Sequence, residues 1–201
     1  MVAEKLAIID TFKDGIEIGL KNLVPILVNV LLWLLTCWIP YLNVGKTIGL
    51  SIGIVSKASR GETISMYEIF DPRYRKYMGE YFITMGLVYV GVCAGLVFGI
   101  IPGIVIGIAW CLTALLLIDK GKNPTEAITL SNNLTYGFKW NIFFLYFAVT
   151  LVFSLLAMLF MLIPVLGHIL LFALFVILLC VCIGIQASIY RQLTEEVVSS
   201  E

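Results

Sequence analysis

The sequence predicts an all-α integral membrane protein, and three observations predict it. Of the 201 residues, 61% are hydrophobic and 13% charged, with a mean hydropathy of +1.03; soluble domains run near about 45–50% apolar and about 25% charged. The charges are confined to short segments between long apolar runs. Those runs, at 23–55, 81–118 and 141–188, each exceed a single crossing, since about 20 helical residues span a hydrocarbon core about 30 Å thick. Each run is therefore expected to cross twice. The result is six transmembrane helices arranged as three tandem helical hairpins in one membrane domain, 1–201.

The chain opens on an amphipathic segment. Asp10, Lys13, Asp14, Glu17 and Lys21 form one helical stripe and Ile9, Phe12, Ile16 and Leu20 another, so residues 3–21 read as a helix lying in the membrane plane. Its charges, with Glu4 and Lys5 before them, argue against a removable signal peptide. In the third unit Asn123 can cap a helix, Pro124 suits its first position and Glu126 the capping-box site. Ala127, Ser131, Leu134 and Phe138 then give it a weakly apolar face.

Each hairpin has a legible fold point. Ile39-Pro40, Ile101-Pro102 and Ile163-Pro164 recur at a pitch of 62 residues, with Gly45, Gly103 and Gly167 following. Proline stops a helix and glycine permits a turn. Each hairpin also leaves through a short basic-polar exit, at 56–61, 119–124 and 190–192. The shared order defines internal repeat units of about 1–61, 62–123 and 124–192. From Gly103 to Ile118 the second arm has only 16 residues, or about 24 Å, so such arms either cross a thinned bilayer or stop short as re-entrant helices.

Charge asymmetry sets the expected orientation. Apart from Lys46, every Lys and Arg lies in the N-terminal segment, the inter-hairpin connections or the C-terminal tail. By the positive-inside rule the N- and C-termini are cytoplasmic and the three turns outside, in a multi-pass protein of the cell membrane. Trp38 and Tyr41 would mark the outer interface, and Tyr81, Tyr136, Trp140 and Tyr190 the inner one. In the middle connection Arg73, Arg75 and Lys76, set among Tyr74 and Tyr77, are candidates for lipid head-group contact.

The most specific local pattern is a glycine zipper: Gly91, Gly95, Gly99, Gly103 and Gly107 at intervals of four, repeated as Gly45, Gly49 and Gly53. Small residues at that spacing let helices approach closely in lipid, so these eight are candidates for a helix-packing or pore face. Catalytic constellations are missing. The spans carry no Asp, Glu, Lys or Arg, the single histidine, His168, lies in the third turn, and Cys180 and Cys182 point to different sides of a helix. No catalytic, cofactor-binding or metal residues are expected, and the five cysteines read as reduced and structural. Zero net charge gives no reason to expect nucleic acid.

The stretch Ile100-Ile-Pro-Gly-Ile-Val-Ile-Gly-Ile-Ala-Trp110, followed by Leu117-Ile-Asp-Lys-Gly121, Pro124-Thr-Glu-Ala127, Ser131 and Trp140, resembles the signature of a group of poorly characterised prokaryotic membrane proteins. Its best-named member is the glycerophosphoryl diester phosphodiesterase membrane domain. The likeness covers residues 99–144; the flanking hairpins share only the layout. It implies a six-helix membrane module without the soluble catalytic barrel of the named enzymes. The expected function is a non-enzymatic polytopic membrane module, a scaffold, sensor or assembly partner. The alternative is a channel or facilitator whose glycine-faced helices line a path. Expected partners are membrane lipids, and a homo-oligomer or other membrane proteins.

Overall fold

A computed structural model describes residues 6–38, 40–164 and 166–199, with side chains throughout except at 40–42 and 195–199. Ile39, Glu4 and Lys5, and the side chain of Tyr41, fall outside it. Helix is the only regular secondary structure among the described residues, with no strand. In order they form α1 (Ile8–Lys21), α2 (Leu23–Thr36), α3 (Pro40–Ile48), a π-helical turn (Gly49–Gly53), α4 (Ile54–Ser59), a 3₁₀ turn (Glu68–Phe70) and α5 (Arg73–Lys76). There follow α6 (Met78–Phe98), α7 (Ile100–Ala109), α8 (Thr113–Asp119), α9 (Pro124–Thr135), α10 (Lys139–Met161) and α11 (Leu166–Ser199).

Four runs are long and apolar enough to cross a membrane: Met78–Phe98, Ile100–Asp119, Lys139–Met161 and Leu166–Thr194. A fifth is added if α1 and α2, bent by 68°, count as one. Four to five candidates therefore stand where the sequence leads one to expect six. The shortfall lies in the first unit, where α2 has 14 residues and the return arm carries Lys46 and Lys57 around its π-helical turn. Between 11% and 39% of each long run is buried in the fold, leaving apolar faces pointing outward. In water such faces would far exceed the patch a soluble monomer exposes; they fit hydrocarbon, consistent with a membrane location.

The second hairpin turns at Gly99 rather than at Pro102. Gly99 has φ +151°, a conformation open to glycine and strained for other residues. Pro102 follows in the first turn of α7, where its missing N–H costs nothing. Gly103, expected as the turn glycine, is instead a packing residue against Leu96. The second arm accordingly starts at Ile100 and has 20 residues, longer than the 16 counted from Gly103.

A break at Trp110–Leu112 separates α7 from α8, and α9 fills it. The Ser131 hydroxyl donates to the Ala109 carbonyl at 2.8 Å and accepts from the Leu112 N–H at 3.2 Å. Thr135 donates to the same carbonyl at 3.3 Å. Ala109 is also the acceptor that Thr113 would ordinarily use four residues on, and the buried Thr113 hydroxyl is left without a partner among the described residues. Helix α9 begins as expected: the Asn123 side chain accepts from the Glu126 N–H at 2.9 Å, with Pro124 in the first position.

The core lies at the end of the molecule where the exits meet. It joins Ile48, Ile54, Val55 and Ala58 of the first unit to Leu115–Leu117 of α8 and to Ile185, Ile189, Tyr190 and Leu193 of α11. The tightest contact is α1 on α11. A Cβ on Gly184 would sit 1.9 Å from the Gly15 carbonyl oxygen, and one on Gly19 would sit 2.4 Å from that of Cys180. The face of α1 that packs is thus Thr11, Gly15 and Gly19, all buried, while Ile9 and Leu20 of the apolar stripe point outward.

Candidate functional site

The three exits of the sequence pattern meet at one carboxylate. Asp119, at the end of α8, accepts hydrogen bonds from Ser56 and Arg60 of the first exit and, at 2.7 Å, from the Tyr190 hydroxyl of the third. Tyr190 is buried, so it belongs to this hub and not to the interfacial belt expected of it. Tyr136 and Trp140 are exposed, as a belt requires. The hub extends to α1 through Asp14, which accepts from Arg191 and Ser188 at 2.5 Å each, with Gln192 donating to Ser188 at 2.8 Å.

A second polar cluster folds the middle connection into the protein. Asn29 of α2 accepts from the Ile69 N–H at 3.0 Å and donates to the Ser65 carbonyl at 2.8 Å. Glu68, with a side chain only 2% exposed, accepts from Lys57 at 2.8 Å and from the Tyr74 hydroxyl at 2.7 Å. Burial and the neighbouring Glu68 carboxylate push the Tyr74 hydroxyl well above its ordinary range, keeping it a donor. The Lys46 ammonium lies 5.3 Å from the Phe70 ring centroid, and Lys46 is buried. Sequence reasoning set these two on opposite sides of the membrane. The contact places them together, because residues 68–76 run along α3 instead of lying free at the surface.

Between the two clusters is a recess of about 470 Å³. Lys57 of α4, Arg60 just past its end, and Arg73 and Lys76 of α5 line it, with Tyr74, Tyr77 and Asp119. Two of the three predicted head-group residues, Arg73 and Lys76, thus face one cavity; Arg75 instead packs its Cγ over Gly45. Lys57 and Arg60 were missed, although they stand in the first exit and their 3-residue spacing at the end of α4 was a signal for a shared face. The Arg73 guanidinium holds the Asp71 carboxyl below its usual range through bonds of 2.7 Å, outweighing the opposing effect of burial. Glu62, hydrogen-bonded at 2.6 Å, and Asp119 together raise the Arg60 guanidinium above its ordinary value.

Except at Gly107, the candidate glycine face is filled from within the chain. A Cβ on Gly45 would meet Arg75, on Gly49 Ile69 and Tyr74, on Gly53 the Tyr74 hydroxyl, and on Gly91 the Trp110 ring. Gly95 and Gly103 meet each other's helices, Gly99 is the turn, and Gly107 has only Val92 at 3.9 Å. Among the described residues, no three His, Cys, Asp or Glu side chains converge as a metal site. His168 is exposed. Asp71 is engaged by Arg73, and Glu80 is exposed in the first turn of α6. No protein-family model, curated protein or solved structure matches the chain.

Proposed function

We propose that the chain is a non-enzymatic, multi-pass membrane module, a scaffold, sensor or assembly partner in a cell membrane, with both termini and the polar hub on the cytoplasmic side. The observation that carries this reading is that, Gly107 apart, the glycine faces are occupied by the chain's own side chains and backbone. Grooves filled this way serve intramolecular packing and leave little for the facilitator alternative to use as a path.

Within this reading α6, the α7–α8 run, α10 and α11 cross fully. The first unit enters and returns as a re-entrant hairpin, since 14 residues of α2 reach only about 21 Å. An even number of crossings keeps the termini together, as the charge map requires.

Proteoliposomes test the function: purified protein is expected to conduct no solute, and specific, saturable flux would overturn the reading. Orientation is tested by single cysteines in a background lacking the five native ones. His168→Cys should react with an impermeant reagent from outside the cell and Lys122→Cys only after permeabilisation. The opposite pattern reverses the topology.

A further inference from the structure

The recess between α4 and α5 has the chemistry of an anion site, and we infer that it holds the phosphate group of an anionic phospholipid. Its four cations come from two elements that Glu68 and Asn29 fasten together. The nearby carboxylates are spent: Glu68 on Lys57 and Tyr74, Asp119 on Ser56, Arg60 and Tyr190, and Asp71 on Arg73. The donors are not. Lys76 has no ion-pair partner among the described residues, and its ammonium lies 6.0 Å from the Tyr77 ring centroid.

Arg73 uses Nε and Nη2 on Asp71, leaving other guanidinium N–H groups unspent. Its side chain is 65% exposed. A tetrahedral oxyanion can use such convergent N–H donors, and arginine forks match phosphate geometry. The volume falls in the range of small-molecule sites, about 300–1,000 Å³.

The same recess adjoins apolar surface. Ile52 and Ile118 also line it, and Tyr77 leads directly into α6, whose Phe82, Ile83 and Tyr89 are exposed. A phosphate seated among the cations would have an outward apolar helix beside it on which acyl chains can lie. Basic residues at the end of a membrane-crossing run are where anionic head groups concentrate. The lipid assignment rests on the proposed membrane reading; the phosphate assignment rests on the donor set alone.

The test uses the full chain in nanodiscs of phosphatidylcholine doped with phosphatidylglycerol, with lipid retained after extraction counted by native mass spectrometry, and in detergent with inorganic phosphate. Wild type should enrich phosphatidylglycerol over phosphatidylcholine by about tenfold. Arg73→Gln with Lys76→Gln should abolish the enrichment. Arg73→Lys with Lys76→Arg, and Lys13→Gln on the exposed side of α1, should keep it.

Inorganic phosphate that displaces the lipid supports one shared phosphate site. Stabilisation by inorganic phosphate without lipid enrichment overturns the lipid assignment in favour of the free anion. Equal retention of both lipids with no phosphate effect, or enrichment surviving in the folded double glutamine variant, overturns the proposal. Should that variant fail to fold, Lys76→Gln alone decides by the same criterion. Solute flux, which would defeat the module reading, is a separate measurement and leaves this one interpretable.

Discussion

The two ends of this molecule are built by different rules. At the exit end, three units interlock through Asp119, Tyr190, Arg60 and the α1–α11 contact, and Leu115–Leu117, Ile185 and Ile189 are almost wholly buried. At the turn end, Trp38 is 86% exposed and Phe98 87%, and Ile100, Leu162 and Phe172 also point outward. Cohesion is concentrated where backbone approach and polar bonds are available. The turn end is apolar surface for lipid to cover, and lipid solvates leucine about as well as another leucine does.

The sharpest way to break this contrast is at Gly184. Gly184→Val would drive a side chain into the Gly15 backbone, which has no flexible end to yield. A loss of about 3 kcal/mol or more should appear as collapse of the monodisperse peak on size-exclusion chromatography. Next is Asp119→Asn, which weakens bonds to Arg60, Ser56 and Tyr190 at once. Because Arg60 is partly exposed its share is discounted, and a loss of about 2 kcal/mol should show in thermal unfolding in detergent. Asn29→Ala strands the buried Ile69 N–H. It should cost about 1–2 kcal/mol and expose Arg73 and Arg75 to trypsin while the core stays protected.

A smaller effect comes from pH. Asp71 is held below its ordinary 3.8 by Arg73, so the pair contributes fully above that value and is lost as pH falls through the lowered folded value. Trypsin is inactive there, so pepsin cleavage of 71–77 should rise below pH 3.8 in wild type and less so in Asp71→Asn. Last, Ile101→Ala at the turn end should change unfolding by no more than about 0.5 kcal/mol. A large loss there would erase the distinction between the two ends.

Much of the scaffold was legible because apolar run length and charge confinement are local properties. The α9 cap was readable for the same reason, since Asn123, Pro124 and Glu126 act within one turn. The exits were recognised as segments, but their meeting was not, because Asp119 lies 63 and 71 residues from Ser56 and Tyr190 and no spacing rule joins them. Gly15 and Gly19 passed unnoticed inside a charged helix, where the polar stripe dominates the pattern. The first unit misled most. Its apolar run has hairpin length, yet Asn29 and Glu68 bind the following connection against it, and a polar connection reads from sequence as a solvated one.

The pairing of α1 with α11 also orders events in time. The groove that receives Gly15 and Gly19 is made by residues near Gly184, synthesised some 165 positions later on the ribosome, at about 5–20 residues per second. Until then α1 has no partner for its small-residue face, and Asp14 no Arg191. Helix α1 must therefore wait for α11, and a chain interrupted before α11 would be left with that small-residue face uncovered.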